Sequence, residues 1–223
     1  MKVTAIIVAA GSGSRMKAGK NKVFLELCGK SVLENTVDVF ENCAIIDDIT
    51  VVTSDAKECK KLLLPYKKVT KIVGGGATRQ ESVKCGLLAS KGDIAVIHDG
   101  ARALVRQEEI LSAVEACEKF GAAAVGVKCK DTLKKADADG FIQATLDREY
   151  VYNIQTPQVF MFNEITDFHK RAQGNTFTDD CALAESFSKK IKIVDGSYDN
   201  IKITTPEDME VAEKILEKRR MEK

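Results

Sequence analysis

Gly11-Ser12-Gly13-Ser14-Arg15-Met16, followed within a few residues by Lys20 and Lys22, combines small residues with cations as a phosphate-binding loop requires. Small side chains let backbone N–H groups approach phosphate oxygens closely. The cations stand where a negatively charged leaving group or transition state needs them. The loop follows the apolar run from Val3 to Ala10 (VTAIIVAA), and open α/β sheets bind ligands beyond the carboxyl ends of their strands. The chemistry implied is that of a nucleoside triphosphate site. A glycine-containing turn of any doubly wound domain is the competing reading.

Two common motifs are excluded. Met16 stands where the third glycine of G-x-G-x-x-G belongs, and no G-x-x-x-x-G-K-[ST] occurs. What remains, A-A-G-x-G-x-R-M followed by a lysine, resembles the signature of nucleotidyltransferases that join a nucleotide to a sugar or polyol phosphate.

Further candidates lie downstream. Gly74-Gly75-Gly76 precedes Thr78, Arg79, Glu81 and Ser82. Three glycines free the backbone to wrap a flat base, and the next helix offers N–H donors with the Ser82 hydroxyl beside them. A merely loose turn is the alternative. His98-Asp99-Gly100-Ala101-Arg102 ends an apolar run. Asp99 there offers a hard oxygen to a magnesium ion bridging phosphates, or else caps a helix. Arg102 is suited to a second phosphate, and His98 reads as a brace for the strand end. Thr132, Arg148 and Asp199-Asn200-Ile201-Lys202 read by default as solvated surface groups; a functional reading needs an arm and a late loop closing over a phosphorylated acceptor. Thr178-Asp179-Asp180 reads as an N-cap with an acidic first turn, with a site role as the alternative, and His169 as a surface or packing residue.

These residues must be positioned by the elements between them. Apolar runs at about 3–10, 48–53, 69–73, 93–98 and 122–127 alternate with helical patterns near 31–42, 55–64, 78–90 and 107–120. Ser31…Glu34 and Thr78…Glu81 are capping boxes. The rhythm predicts an α/β fold with a Rossmann-like, mostly parallel sheet flanked by helices. Residues 128–155 alternate in polarity around Asp137-Ala138-Asp139-Gly140, which predicts a protruding β-hairpin arm. Such a hairpin is marginal alone, so a homodimer through this arm is expected, a flap packed on its own subunit being the alternative. A helix from about 178, a strand near 191–195, a short strand at 201–204 and a last helix opening Thr205-Pro206-Glu207-Asp208 complete the chain.

The 223 residues suit a single domain, 1–223. Lysines and arginines number 34 against 33 acidic residues, so no global field attracts nucleic acid or a membrane surface. No apolar run approaches the roughly 20 residues of a membrane span, and no signal peptide pattern opens the chain, so a cytoplasmic protein is expected. Seven scattered cysteines without a C-x-x-C suit reduced thiols.

In order, A-A-G-S-G-S-R-M (9–16), Lys22, G-G-x-x-R-x-x-S (75–82), H-D-G-A-R (98–102), K-D-T (130–132), Thr156-Pro157-Gln158, T-D-D (178–180) and D-N-I-K-I-T-T-P-E-D (199–208) resemble the 2-C-methyl-D-erythritol 4-phosphate cytidylyltransferase family. The resemblance implies a GT-A-like nucleotidyltransferase that transfers CMP from CTP to a polyol phosphate, with Mg²⁺, and releases pyrophosphate. It implies Arg15 and Lys22 as the pair stabilising charge on the α-phosphate. Ala9, Ala10, Gly11, Gly13, Gly76, Arg79, Ser82 and Gly100 would form the nucleotide pocket. Arg148 (from a partner's arm) and Lys202 would position the acceptor, with Arg102, Thr132 and Thr156 lining the same pocket and Asp99 holding the metal.

The chain departs from the family pattern at Asn21 and Val23 around Lys22, at Gly100 and Ala103, and at Ala77. Loss of the proline usual before the lysine is expected to loosen that loop. Three rival readings remain: a cytidylyltransferase for ribitol 5-phosphate or another polyol phosphate, a dinucleotide-binding oxidoreductase, and a non-catalytic nucleotide sensor.

Overall fold

The apolar run that opens the chain forms β1 (Val3–Ala9), and its two faces set the architecture. The computed structural model describes residues 1–11, 21–172 and 174–221. After β1 come a small hairpin, β2 (Glu26–Leu27) and β3 (Lys30–Ser31), then α1 (Val32–Glu41), β4 (Asp48–Thr53), α2 (Ala56–Leu62) and β5 (Val69–Gly74). Next are α3 (Arg79–Ala89), β6 (Ile94–Asp99), α4 (Gln107–Phe120) and β7 (Ala122–Lys128). An arm carries β8 (Lys134–Ala136) and β9 (Ile142–Thr145). The chain ends with β10 (Tyr152–Met161), α5 (Phe162–Arg171), α6 (Asp180–Glu185), β11 (Lys192–Asp195) and α7 (Pro206–Met221).

One seven-stranded sheet has the order β11-β7-β10-β6-β1-β4-β5. All neighbours pair in parallel except β10, which runs antiparallel to both β6 and β7. Alternate residues of a strand face opposite sides, and β1 obeys this. Ala5, Ile7 and Ala9 pack with Leu33, Val37 and Phe40 of α1 and with Ile110 and Val114 of α4. Ile6 packs with Val83 and Leu87 of α3, in a cluster that also takes Phe162 and Ile165 of α5. A third cluster, Leu27, Val32, Leu104, Ile203 and Ala212, seats α7 against the hairpin and the loop after β6.

Both expected capping boxes form. Ser31 Oγ accepts the Glu34 N–H while Glu34 accepts the Ser31 N–H, and Thr78 and Glu81 do the same at α3. Two expectations change. Residues 201–204 form no strand; the Ile203 N–H donates to the Ala101 carbonyl, tying the segment to the loop after β6 instead. The arm is also shorter than 128–155, because Lys128 ends β7 and faces Tyr152 of β10 across a paired register. Within β10 the pairing is irregular between Ile154 and Gln158, and the Thr156–Pro157 peptide bond is cis. Neither β10 nor α5 stands out in the sequence pattern.

Gly86 lets α3 lie close to the sheet. A Cβ there would stand 2.5 Å from Ile6 Cγ2 and 2.8 Å from Val52 Cγ2. Alanine gains about 1 kcal/mol of helix propensity over glycine, but overpacking a filled core costs about 1–3 kcal/mol. Gly86→Ala is therefore expected to lower the urea unfolding midpoint; an unchanged or raised midpoint would show that α3 has room to shift.

Candidate active site

A cavity of about 410 Å³ opens at the carboxyl end of β1, between the end of β6 and the start of α3. Ala9, Ala10, Gly11, Lys22, Gly76, Arg79, Ser82, Asp99 and Lys202 line it together. Five segments separated in sequence thus converge at the edge where the loop chemistry requires. Gly75 has no space for a side chain: a Cβ would stand 2.3 Å from Ala10 Cβ. Its N–H donates to the Thr53 carbonyl, and the Gly76 N–H donates to Ser82 Oγ at 3.2 Å. Ser82 thus holds the glycine loop in shape as well as lining the cavity.

Gly100 does not line this cavity. It is buried behind it, its N–H donating to the Val8 carbonyl at 2.8 Å. Gly13 and Arg15 lie outside the described residues. A smaller cavity of about 230 Å³ adjoins the first, sharing Arg79, Asp99 and Lys202 and adding Arg102, Thr156, Gln155 and Gln158. Thr132 and Arg148 line neither. Both are exposed on the arm, where Arg148 Nη1 donates to the Lys130 carbonyl at 2.9 Å. Asp199 is turned away, bound by Arg106 and Arg219 at 2.9 and 3.3 Å.

Asp99 is the hub of the charges. Arg79 Nε donates to Oδ1 at 3.0 Å, Lys202 Nζ lies 2.8 Å from Oδ2, and Arg102 Nε lies 3.7 Å from Oδ2. Burial alone would raise the Asp99 pKa, but the attraction of Arg79 and Lys202 outweighs it and holds the carboxyl well below the usual carboxylate range. Arg79 also reaches backwards, its Nη1 donating to Asp180 Oδ2 at 2.8 Å. Its remaining nitrogen, Nη2, is buried without a hydrogen-bond partner.

Asp180 belongs to the site, the role that stands only as the alternative to the cap reading of T-D-D. Only Asp179 caps α6, accepting the Ala182 N–H. Asp180 is 1% exposed and bridges Arg79 to His169, whose Nε2 lies 3.0 Å from Oδ1. His169 is accordingly no surface residue. A signal existed in the second acid of T-D-D and in the spacing of His169 on an amphipathic helix, but only tertiary contact joins them.

His98 braces the strand end, as expected. Its Nε2 lies 3.2 Å from the Arg102 carbonyl and its Nδ1 lies 3.0 Å from Thr156 Oγ1. A carbonyl only accepts, so Nε2 carries the proton. Thr156 Oγ1 accepts the Asp99 N–H, so its own hydrogen goes to Nδ1. That is the neutral imidazole, in keeping with burial lowering its pKa from 6.5 to about 4.

The metal role expected for Asp99 does not fit this arrangement. Both carboxylate oxygens are engaged by cations, and among the described residues Asp99 is the one acid that lines the larger cavity. No group of three His, Cys, Asp or Glu among the described residues could hold a metal ion.

A mostly parallel sheet with a cation-lined, glycine-walled cavity at its carboxyl edge defines a nucleotidyltransferase of the α/β class. The IspD family model, 2-C-methyl-D-erythritol 4-phosphate cytidylyltransferase, matches residues 3–218. A relative of that name from Caldanaerobacter subterraneus subsp. tengcongensis is 47% identical, covering 98% of this chain and all of its own length. Another, from Clostridium acetobutylicum, is 43% identical over 96% of this chain and 97% of its own. The crystal structure of 4-diphosphocytidyl-2C-methyl-D-erythritol synthase from Anaerococcus prevotii superposes with a TM-score of 0.88 at 38% identity, covering 97% of this chain and 96% of that one. The chain belongs to the 2-C-methyl-D-erythritol 4-phosphate cytidylyltransferase family.

The neutral His98 makes stability pH-dependent. Between about pH 6.5 and about 4 the unfolded chain takes up a proton that folded His98 refuses. Stability is therefore expected to fall as pH drops through that window. Below it, loss of the charges on Asp99 and Asp180, both held under the ordinary carboxylate pKa of 3.8, continues the fall. Urea unfolding across this range should show a shallower pH slope for His98→Gln than for the wild type. Equal slopes would assign the proton elsewhere.

Proposed function

We propose that this chain transfers the cytidylyl group of CTP to the phosphate of 2-C-methyl-D-erythritol 4-phosphate, giving 4-diphosphocytidyl-2-C-methyl-D-erythritol and pyrophosphate, a step of isoprenoid biosynthesis. The observation that carries this reading is the larger cavity itself. Among the described residues three cations, Lys22, Arg79 and Lys202, line it with one carboxylate, Asp99, a balance that suits an anionic ligand. A triphosphate entering at the end of β1 exchanges its hydration for these groups and the backbone of the Gly76 loop.

In this reading an oxygen of the acceptor phosphate attacks the α-phosphorus in line, and the bond to the bridging oxygen of pyrophosphate breaks. A phosphate dianion is already nucleophilic at neutral pH, so no general base is needed. Catalysis rests on alignment and on neutralising charge at the α-phosphate. Lys22 and Arg15 serve that charge. Lys202 stands at the boundary of the two cavities, held by Asp99 and 40% exposed, where it can exchange the carboxylate for an acceptor phosphate. Arg102 and Thr156 line the acceptor side. Magnesium carried in with the triphosphate would supply further charge neutralisation at the phosphates.

The arm reads as a dimer contact. Its two short strands pair only with each other, and Phe141, Ile142 and Tyr150 are 72%, 67% and 78% exposed. A lone two-stranded ribbon with exposed apolar side chains is marginal in water. Packing against a second copy stabilises it and brings Thr132 and Arg148 to the partner's acceptor cavity. Light scattering is expected to give the mass of two chains; a monomer at micromolar concentration would remove this part of the reading.

The activity is tested by pyrophosphate release from CTP, with 2-C-methyl-D-erythritol 4-phosphate and with ribitol 5-phosphate as acceptors. Turnover with the former and little with the latter is expected. Lys22→Ala should keep the fold but lose roughly 10²–10³ in turnover, comparable to removing an oxyanion-hole donor. Near-normal turnover in that variant would refute the role given to Lys22.

A further inference from the structure

Lys22 enters the cavity from a single 3-10 turn, Lys22–Phe24, and the residue before it is held by its side chain in an unusual number of directions. Asn21 Nδ2 donates to the Ala9 carbonyl at 3.1 Å and to Ser54 Oγ at 3.2 Å. Its Oδ1 accepts the Val23 N–H at 3.3 Å, and its backbone carbonyl accepts the Phe24 N–H at 3.0 Å. One amide thus joins the end of β1, the residue after β4 and the turn itself. On the other side of Lys22, Val23 is 3% exposed within the main core cluster. Lys22 is bracketed by two anchors.

The chemistry of this site selects asparagine. Ala9 presents an acceptor and Val23 a donor, so the side chain must donate with one atom and accept with the other. Aspartate would set a carboxylate against the Ala9 carbonyl, and alanine would leave both groups unmet. The Asn21 φ of −62° is the value that a proline ring fixes. Here hydrogen bonds supply the anchoring that a ring would supply by covalent geometry. The loosening expected from the absence of proline is therefore not what the geometry at Asn21 shows.

We infer that Asn21 is a positioning residue: by tying the lysine turn to Ala9, a wall of the nucleotide cavity, it sets the distance at which Lys22 meets the α-phosphate. The inference rests on the cytidylyltransferase reading given above. Its energetic logic is that a misplacement of about 1 Å in a charge-stabilising group costs up to roughly 10²-fold in rate while leaving substrate affinity largely intact.

The test is a kinetic double-mutant cycle on the full chain, with CTP and 2-C-methyl-D-erythritol 4-phosphate. Asn21→Ala is expected to lower kcat about tenfold, with the KM for CTP changed less than about threefold. Asn21→Pro, which keeps the backbone angle, should recover most of that loss. In a Lys22→Ala background, Asn21→Ala should cost nothing further, because it acts only through the lysine. Should Asn21→Ala fail to fold, Ser54→Ala removes one anchor at an exposed position and should lower kcat about two- to threefold, again only when Lys22 is present. A normal kcat in Asn21→Ala, or an equal loss with and without Lys22, overturns the inference. An inactive wild type overturns the assigned activity and this inference with it; an active wild type beside an unaffected Asn21→Ala overturns this inference alone.

Discussion

A carboxylate buried at the end of a central strand must be compensated, and much of the site follows from how Asp99 meets that demand. Removing an ionised carboxylate from water without partners costs far more than a fold of this size can absorb. Asp99 is met by Arg79, Arg102 and Lys202, which come from α3, from its own loop and from the segment before α7. Three separate parts of the chain are thereby drawn to one point. The arrangement leaves an excess of positive charge facing the cavities, which an anionic ligand can use. The same carboxylate that organises the site offsets the mutual repulsion of its cations.

Behind this hub lies a polar layer that fixes its position. Thr156 receives the Asp99 N–H and bonds His98, while the Asn200 amide donates to the Thr156 carbonyl at 3.0 Å. The Asn200 carbonyl in turn accepts from Arg102 at 2.7 Å. Gln158 Oε1 accepts the N–H groups of Asp180 and Cys181, so it orients the start of α6 and with it the carboxylate that holds Arg79. Asn200 Oδ1 and His169 Nδ1 are buried without a hydrogen-bond partner, and the bonds that do form fix the position of the hub. The substrate-facing charges thus rest on a layer of buried polar side chains, of which Thr156 and Gln158 also line the smaller cavity.

How much of this was readable in the chain depends on the range of the interaction involved. The continuous apolar runs of β1 and β6 and the capping boxes at Ser31 and Thr78 are local signals, and they led to correct elements. Among the described candidates, Ala9, Ala10, Gly11, Lys22, Gly76 and Ser82 line one cavity, because strand polarity alone puts them at the same edge. What escaped was long-range. Tyr152–Gln155 read as the end of an exposed arm and Thr156-Pro157-Gln158 as a motif without an assigned element, yet together they belong to β10, which runs inside the sheet. Its polar side chains are buried only because His98, Asp99 and α6 receive them. Asp180 looked like half of a cap until Arg79 and His169 were seen on either side of it. Asp99 looked like a metal ligand because a pattern cannot show that both its oxygens are already taken.

The way the arm leaves the sheet has a practical side. Lys128 and Tyr152 are partners in the β7–β10 ladder, so the arm departs from and returns to adjacent positions on neighbouring antiparallel strands. Excising the intervening residues would leave two chain ends already held side by side, ready to be bridged by a tight reverse turn. The projection is thus a detachable module. A trimmed version would retain every strand of the main sheet while shedding Thr132 and Arg148, giving a self-contained scaffold on which the contribution of a neighbouring molecule can be separated from that of the core.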